Sequence, residues 1–439
     1  MALGIILPNI SNPFIIVPKQ ANAGNPNDLN SSHKLDDKPL PLPRTILLDP
    51  LLLSTIKETV TSRNNTDNST LLKHALKQLV SEANSLLTKK PTSVVNKGEL
   101  PPSGDIHDFL SLAPYRWPDP SKKDGLPYIG RDGRTNPEIY TIPDKKNLDD
   151  LTHAVKVLSA AYYFTDDPKY ASKAEELLRV WFVDNSTKMN PNLKYAETVR
   201  GKSNTYPAGI MVGRNLTDVI DAIGLIQDSS AWTKEDQAGV ESWFTKYLGW
   251  LMNSTSGKQE GQKMNNHGTY YYVQVAAIAS FLNKTAIAKN TIEAFVQRPS
   301  TSTFIAPEKS LAVKIQPDGR QPFELQRSSS LQYSLFNLQG LFRLADIGQQ
   351  LGIDLWNYTS SQGPLLQKAL DFLMPYVLEK ETWPYSQISP ISGHVTAADL
   401  FCHAAVSYPK MEGVYMKSFK YFIKDRPFFD VHNLPCLGR

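Results

Sequence analysis

Leu71, Leu72, Ala75, Leu76, Leu79, Val80, Ala83 and Leu86 recur three and four residues apart. That spacing lines one face of an α-helix. The same period returns in 148–164, 168–183, 208–226, 234–253, 266–282, 286–297, 330–350, 364–378 and 396–407. Short polar or proline-containing turns separate these segments. Alternating β-branched runs are short, as around Thr303–Ile315. No strand–helix alternation and no glycine-rich loop after a strand appear, which argues against Rossmann and P-loop architectures. Helical hairpins repeated along so long a chain do not fit one simple bundle and suit a ring or solenoid. No sequence motif recurs at a fixed period, which disfavours a TPR or HEAT array. The expectation is an all-α fold: an incomplete (α/α)n toroid or barrel of antiparallel hairpins, with long loops over a central cleft. Residues 1–45, rich in Pro, Asn, Ser and Asp, read as an extended, partly disordered arm, leaving 46–439 as a single toroid domain.

Composition adds limits. Of 439 residues 41% are hydrophobic and 21% charged, as in ordinary soluble proteins. A net charge of +4 is too weak to point to nucleic acid, although a mildly basic surface suits an anionic substrate. No stretch of eighteen apolar residues predicts a membrane span. The segment Met1–Ala23 lacks a basic start and is interrupted by Pro8, Asn9, Asn12 and Pro13. It makes a poor signal peptide, although Ala21-Asn22-Ala23 resembles a cleavage site. N-x-[ST] occurs at Asn9, Asn30, Asn64, Asn68, Asn185, Asn215, Asn253, Asn283 and Asn357. Its spread along the chain predicts a secreted glycoprotein, with the last seven as candidate glycan sites. Cys402 and Cys436, 34 residues apart, carry no metal-binding spacing. They read either as one staple for the last segment or as two buried thiols. No metal, cofactor, membrane or nucleic-acid partner is expected, and the chain is read as a monomer.

The candidate chemistry lies where the helical pattern breaks. Residues 107–140 hold His107-Asp108-Phe109, then Ala113-Pro114-Tyr115-Arg116-Trp117-Pro118-Asp119-Pro120, and Arg131-Asp132-Gly133. Long ordered loops in compact domains usually serve function. Tyr115, Arg116, Trp117 and Arg131 supply the aromatic faces and guanidinium groups of a sugar-binding rim; alternatively Tyr115 and Trp117 are the core of a structural plug. Asn265-Asn266-His267 opens a helix and is followed by Tyr270, placing amides and an imidazole where a helix start favours an anion. The plainer reading makes Asn265 an N-cap and His267 a satisfied core histidine. The stretch from Asp318 carries Arg320, Glu324, Arg327 and Tyr333. Arg327 and Tyr333 are six residues apart and do not share one face of an ideal helix, so the chain should bend at Ser328–Ser330. Otherwise Arg327 pairs with Glu324, and Tyr333 is a core aromatic. A weaker stretch, Asn190-Pro191-Asn192-Leu193-Lys194-Tyr195-Ala196-Glu197, offers Asn192 and Lys194.

Asn, His, Arg and Tyr together match β-elimination on a polyuronate. Asn266 and Arg327 supply donors to the C6 carboxylate, which makes the C5 proton acidic. His267 or Tyr333 takes that proton, and Tyr333 returns one to the departing O4. A nearby cation such as Arg327 should lower the tyrosine pKa.

The pieces His107-Asp-Phe…Ala113-Pro-Tyr-Arg-Trp-Pro-Asp-Pro, Asn190-Pro-Asn-Leu-Lys-Tyr-Ala-Glu, Asn265-Asn-His-Gly-Thr-Tyr and Glu324-Leu-Gln-Arg-Ser-Ser-Ser-Leu-Gln-Tyr resemble the alginate lyase superfamily of α/α toroids. The resemblance implies catalytic roles for Asn266, His267, Arg327 and Tyr333. It also implies an anionic polysaccharide as substrate, held by Tyr115, Arg116, Trp117, Arg131, Asn192, Lys194, Asn265, Tyr270, Arg320 and Glu324. Bacterial mannuronate-specific members read Arg-Gly-x-Arg-Ala-Leu-x-Tyr, one residue longer than the spacing here. Serines replace the intervening Gly and Arg. The chain is thus more similar to the branch with glucuronan lyases and alginate lyases of relaxed specificity. An α/α-barrel glycoside hydrolase and a non-catalytic carbohydrate-binding protein are the alternatives.

Overall fold

Burial divides the helices into two kinds. The computed structural model describes residues 42–61, 67–202, 207–297, 310–390, 394–424 and 431–437. Among these the helices are α1 (Pro50–Thr61), α2 (Asp67–Leu86), α3 (Asp144–Thr165), α4 (Pro168–Phe182), α5 (Leu216–Ile226), α6 (Lys234–Asn253), α7 (Thr255–Gly261) and α8 (Asn266–Phe281). They continue with α9 (Thr285–Gln297), α10 (Ser310–Lys314), α11 (Pro322–Leu325), α12 (Ser330–Gln350), α13 (Leu365–Val377), α14 (His394–Ser407), α15 (Glu412–Ile423) and α16 (Leu434–Leu437).

Helices α3, α5, α8, α12 and α14 pack on one another in chain order and form the inner wall. Helix α5 buries ten of its eleven residues. Helix α8 buries polar Asn266, Thr269 and Gln274 along with its apolar residues. A helix buried on all sides belongs to an interior. The outer helices are one-sided. Helix α4 buries Tyr170, Ala171, Ala174, Leu177, Leu178 and Trp181, and its other face carries Lys169, Lys173 and Glu176. Each outer helix lies on an inner one: α4 on α3, α6 and α9 on α8, α13 on α12, α15 on α14. This is the incomplete toroid of helical hairpins expected from the periodicity. A buried Leu contributes about 1.5–3 kcal/mol through the area it removes from water, so the shared inner wall carries much of the stability.

Two devices join the ends of this arc. Helix α16 packs on α1, α2 and α14, and the Cys402–Cys436 disulfide ties α14 to α16 with Cα atoms 5.6 Å apart. The segment Arg44–Leu48 crosses α5 at Gly224, where any Cβ would overlap the Arg44 carbonyl. There the buried Asp221 carboxylate accepts the N–H groups of Ile46 at 2.6 Å, Leu47 at 3.0 Å and Leu48 at 2.8 Å.

The expected 208–226 helix begins as a 3₁₀ segment, Pro207–Asn215, before α5. Part of the Thr303–Ile315 run is helix α10, and its first residues lie outside the described ones. Most of the predicted arm, including Asn9 and Asn30, also lies outside them, as do Asn64 and the side chain of Asn68. Asn185, Asn253, Asn283 and Asn357 are exposed. Asn215 is half-buried and its amide donates to Asp149 at 3.0 Å, so a glycan there requires that bond to break. No described helix is long and apolar enough to cross a membrane.

Candidate active site

Strands are short, and four of them build one wall of a cleft. Strand β1 (Leu110–Leu112) runs parallel to β4 (Tyr195–Thr198), and β2 (Arg116–Trp117) pairs antiparallel with β3 (Ile129–Gly130). A buried ion pair holds the entry to this wall. Lys97 Nζ lies 2.9 Å from Asp144 Oδ2, and the same oxygen accepts the Leu110 N–H at 2.9 Å. The loop is braced further along, where Asn136 donates to the Arg116 carbonyl and Tyr128 to Glu138.

The cleft has a volume of about 400 Å³ and is lined by Tyr115, Arg116, Arg131, Asp132, Glu197, Arg214, Asn266, His267, Arg327, Tyr333 and Phe336, among others. Seven residues singled out from sequence thus meet in one place: Tyr115, Arg116, Arg131, Asn266, His267, Arg327 and Tyr333.

Each central side chain is held by a partner. Asn265 caps α8 by accepting the His267 N–H at 3.3 Å. That fixes the first turn and turns Asn266 inward. Glu324, almost wholly buried on α11, accepts the Asn266 N–H at 2.6 Å and its side-chain amide at 2.7 Å. Burial raises the Glu324 carboxyl, and the two Asn266 donors oppose this. His267 Nδ1 lies 2.5 Å from Oε1 of the fully buried Glu260 on α7. A carboxylate at Nδ1 fixes the proton there and leaves Nε2 as the basic nitrogen.

Arg327 sits in the link between α11 and α12, where the chain bends as the spacing required. It does not pair with Glu324. Its Nη2 and Nε reach the two oxygens of Asp132 at 2.7 and 3.2 Å, and Ser328 donates to Asp132 through N–H and Oγ. Burial raises the Asp132 carboxyl, but the bonds from Arg327 and Ser328 outweigh it and hold it down at about 2. The Arg327 guanidinium lies 3.8 Å from the Tyr333 ring centroid. Tyr333 donates to the Tyr115 hydroxyl at 2.8 Å. The expected lowering of the Tyr333 pKa is not found. Burial raises it, the Tyr115 bond raises it further, and Arg327 offsets only part of this. Tyr333 is a neutral phenol.

Several residues expected to hold substrate do not line the cleft and are engaged elsewhere. Trp117 stands behind the cleft, donating to the Arg134 carbonyl at 2.8 Å and stacking under Arg131 at 5.3 Å. Asn192 holds its own turn, bonded to Asp108 and to the Lys194 N–H, while Lys194 is exposed over Tyr195. Asn265 is a cap. Tyr270 is a core residue stacked on Phe336 at 4.5 Å. Arg320 is exposed and bonded to Asp318. Glu324 positions Asn266 and does not line the cleft. Reading the sequence missed Asp132, Glu197, Arg214, Glu260 and Phe336. Only adjacency signalled any of them, since Asp132 follows Arg131 and Glu197 ends the Asn190 stretch. Among the described residues no group of three or more His, Cys, Asp or Glu side chains is placed to hold a metal.

The alginate lyase family model matches residues 93–383. The chain belongs to the alginate lyase family. The crystal structure of an alginate lyase from Bacteroides ovatus is similar, with 36% identity over 91% of this chain and 100% of the other, at a TM-score of 0.79. Alginate lyase A1-III from Sphingomonas species A1 shares the fold at 15% identity and a TM-score of 0.52, covering 86% of this chain and 92% of its own. No curated protein matches the chain. Membership makes the protein a polysaccharide lyase.

Proposed function

We propose that this lyase is secreted, acts as a monomer, and cleaves a β-1,4-linked polyuronate, alginate or glucuronan, by β-elimination. The similar structure from Bacteroides ovatus is named an alginate lyase, which favours alginate. The reading rests on one observation: His267 with a free Nε2 and the neutral phenol of Tyr333 line the same cleft as Asn266 and Arg327.

The chemistry follows from the protonation states. The Asn266 amide and the Arg327 guanidinium meet the C6 carboxylate and stabilise the charge that develops as C5–H breaks. His267 Nε2 takes the C5 proton, and the buried Glu260 carboxylate supports the imidazolium that forms. Tyr333, protonated at rest, gives its proton to O4 as the C4–O4 bond breaks. The product carries a C4–C5 double bond. A hydrolase would need two free carboxyls flanking the bond, and Asp132 is consumed by Arg327 and Ser328. The test is near-ultraviolet absorbance on incubation with mannuronate blocks, guluronate blocks, glucuronan and pectate. New reducing ends without absorbance would overturn the reading.

A further inference from the structure

Glu197 is a carboxyl in the cleft to which the mechanism gives no task. It lies in β4, and its backbone is in the left-handed region at φ 53°. A side chain other than glycine rarely adopts that conformation, and such strain persists only where the surroundings impose it. Here they do. The Glu197 N–H donates to Ser111 Oγ at 2.9 Å, and Thr198 donates to the Ser111 carbonyl at 3.0 Å, so β1 pins the residue on both sides. The carboxyl enters the cleft with Asn266, His267 and Arg214. Every other acidic side chain beside these residues is bonded: Asp132 to Arg327, Glu324 to Asn266, Glu260 to His267. No hydrogen bond to the Glu197 carboxyl is formed among the described residues.

An ionised carboxylate in that place would repel a polyanionic chain, and a neutral one would not. Burial is the largest influence on Glu197 and lifts its pKa to about 7. Glu260 on α7 raises it; His267 on α8, Lys145 on α3 and Arg214 before α5 lower it. Arg116, Arg131, Asp132, Arg327 and Tyr333 line the same cleft.

We propose that Glu197 is a substrate-binding residue whose neutral carboxyl donates a hydrogen bond to a carboxylate of the uronate chain, so that its ionisation weakens binding at alkaline pH. The inference rests on the polyuronate reading and adds to it a second carboxylate contact, made by an acid rather than a cation. A neutral donor accepts a sugar acid below its pKa and turns against it above, which a guanidinium cannot do.

The experiment is direct binding of a mannuronate tetrasaccharide by calorimetry from pH 5 to 9. It uses Tyr333→Phe, which the elimination mechanism predicts will not turn over, and the double variant that adds Glu197→Gln. Glutamine keeps shape and donor but does not ionise. In Tyr333→Phe, Kd should rise about tenfold per pH unit above about 7, the limit for loss of one required proton. In the double variant Kd should stay flat and close to the low-pH value. Adding Glu197→Ala instead should weaken binding at every pH. The same alkaline rise with glutamine present, or unchanged binding by the alanine variant, overturns the role of Glu197 alone. No binding by Tyr333→Phe at any pH, with no unsaturated product from the unmodified enzyme on any polyuronate, overturns the polyuronate reading and this role with it.

Discussion

Glu324→Gln isolates the support of Asn266 without touching the cleft surface. In the native chain both carboxylate oxygens accept, one from the Asn266 N–H at 2.6 Å and one from its side-chain amide at 2.7 Å. Glutamine keeps one acceptor and presents an NH₂ group where the other stood. One charge-assisted bond is lost and a buried donor is left facing a donor. Such a change costs about 1.5–3 kcal/mol. Asn266 is assigned to charge that appears in the transition state, so the cost should fall on kcat. At 1.36 kcal/mol per tenfold, that is a loss of about 10- to 150-fold. KM should stay within about threefold, because a ground-state carboxylate still meets Arg327. The same defect should lower the melting temperature by at most about 4 °C in a chain of this size. Initial rates from near-ultraviolet absorbance over a substrate series, with melting curves in parallel, give all three quantities. A folded Glu324→Gln enzyme with kcat within about twofold of the parent, or a loss confined to KM, would refute the positioning role.

Other expectations follow from the same contacts. Glu260→Ala should lower kcat about 10- to 100-fold by freeing the His267 ring, and Glu260→Gln should recover part of it because its oxygen still accepts from Nδ1; equal loss in both would sink the orienting role. Asp132→Ala should reduce kcat/KM about 5- to 30-fold, from roughly 1–2 kcal/mol after allowance for solvent screening. Asp132 has its pKa depressed to about 2, so its tie to Arg327 is intact above the unfolded value near 3.8 and fails only as pH falls through about 2. The Asp132→Ala loss should therefore be constant from pH 5 to 9, and a loss that varies over that range would contradict the assignment. Reducing the Cys402–Cys436 bond, which closes 34 residues, should cost about 3–4 kcal/mol of stability; scanning calorimetry with and without reductant measures it, and unchanged melting would show that the bond does not brace the fold.

The fold was legible because hydrophobic spacing reports which face a helix buries, and most of these helices are long. Helices α1 and α15 were not singled out, although segments of the same twelve-residue length at 286–297 and 396–407 were. Asn266, His267, Arg327 and Tyr333 were legible as local groupings at a helix start and a bend. Their partners were not. Glu260 meets His267 from another helix, and Asp132 meets Arg327 across 195 positions of sequence. Tyr270 follows Asn266 by one helical turn, which reads as the same face but lies one turn deeper, against Phe336. The Tyr333 pKa went the wrong way because the sequence displays the neighbouring cation and hides the burial.

The central claim is elimination by a neutral Tyr333 and a basic His267. Parent enzyme and Tyr333→Phe should be incubated with mannuronate blocks, guluronate blocks and glucuronan, following near-ultraviolet absorbance and substrate binding together. The account predicts unsaturated product from the parent on at least one polymer, and binding without product from Tyr333→Phe. Product formation by Tyr333→Phe at the parent rate would contradict it.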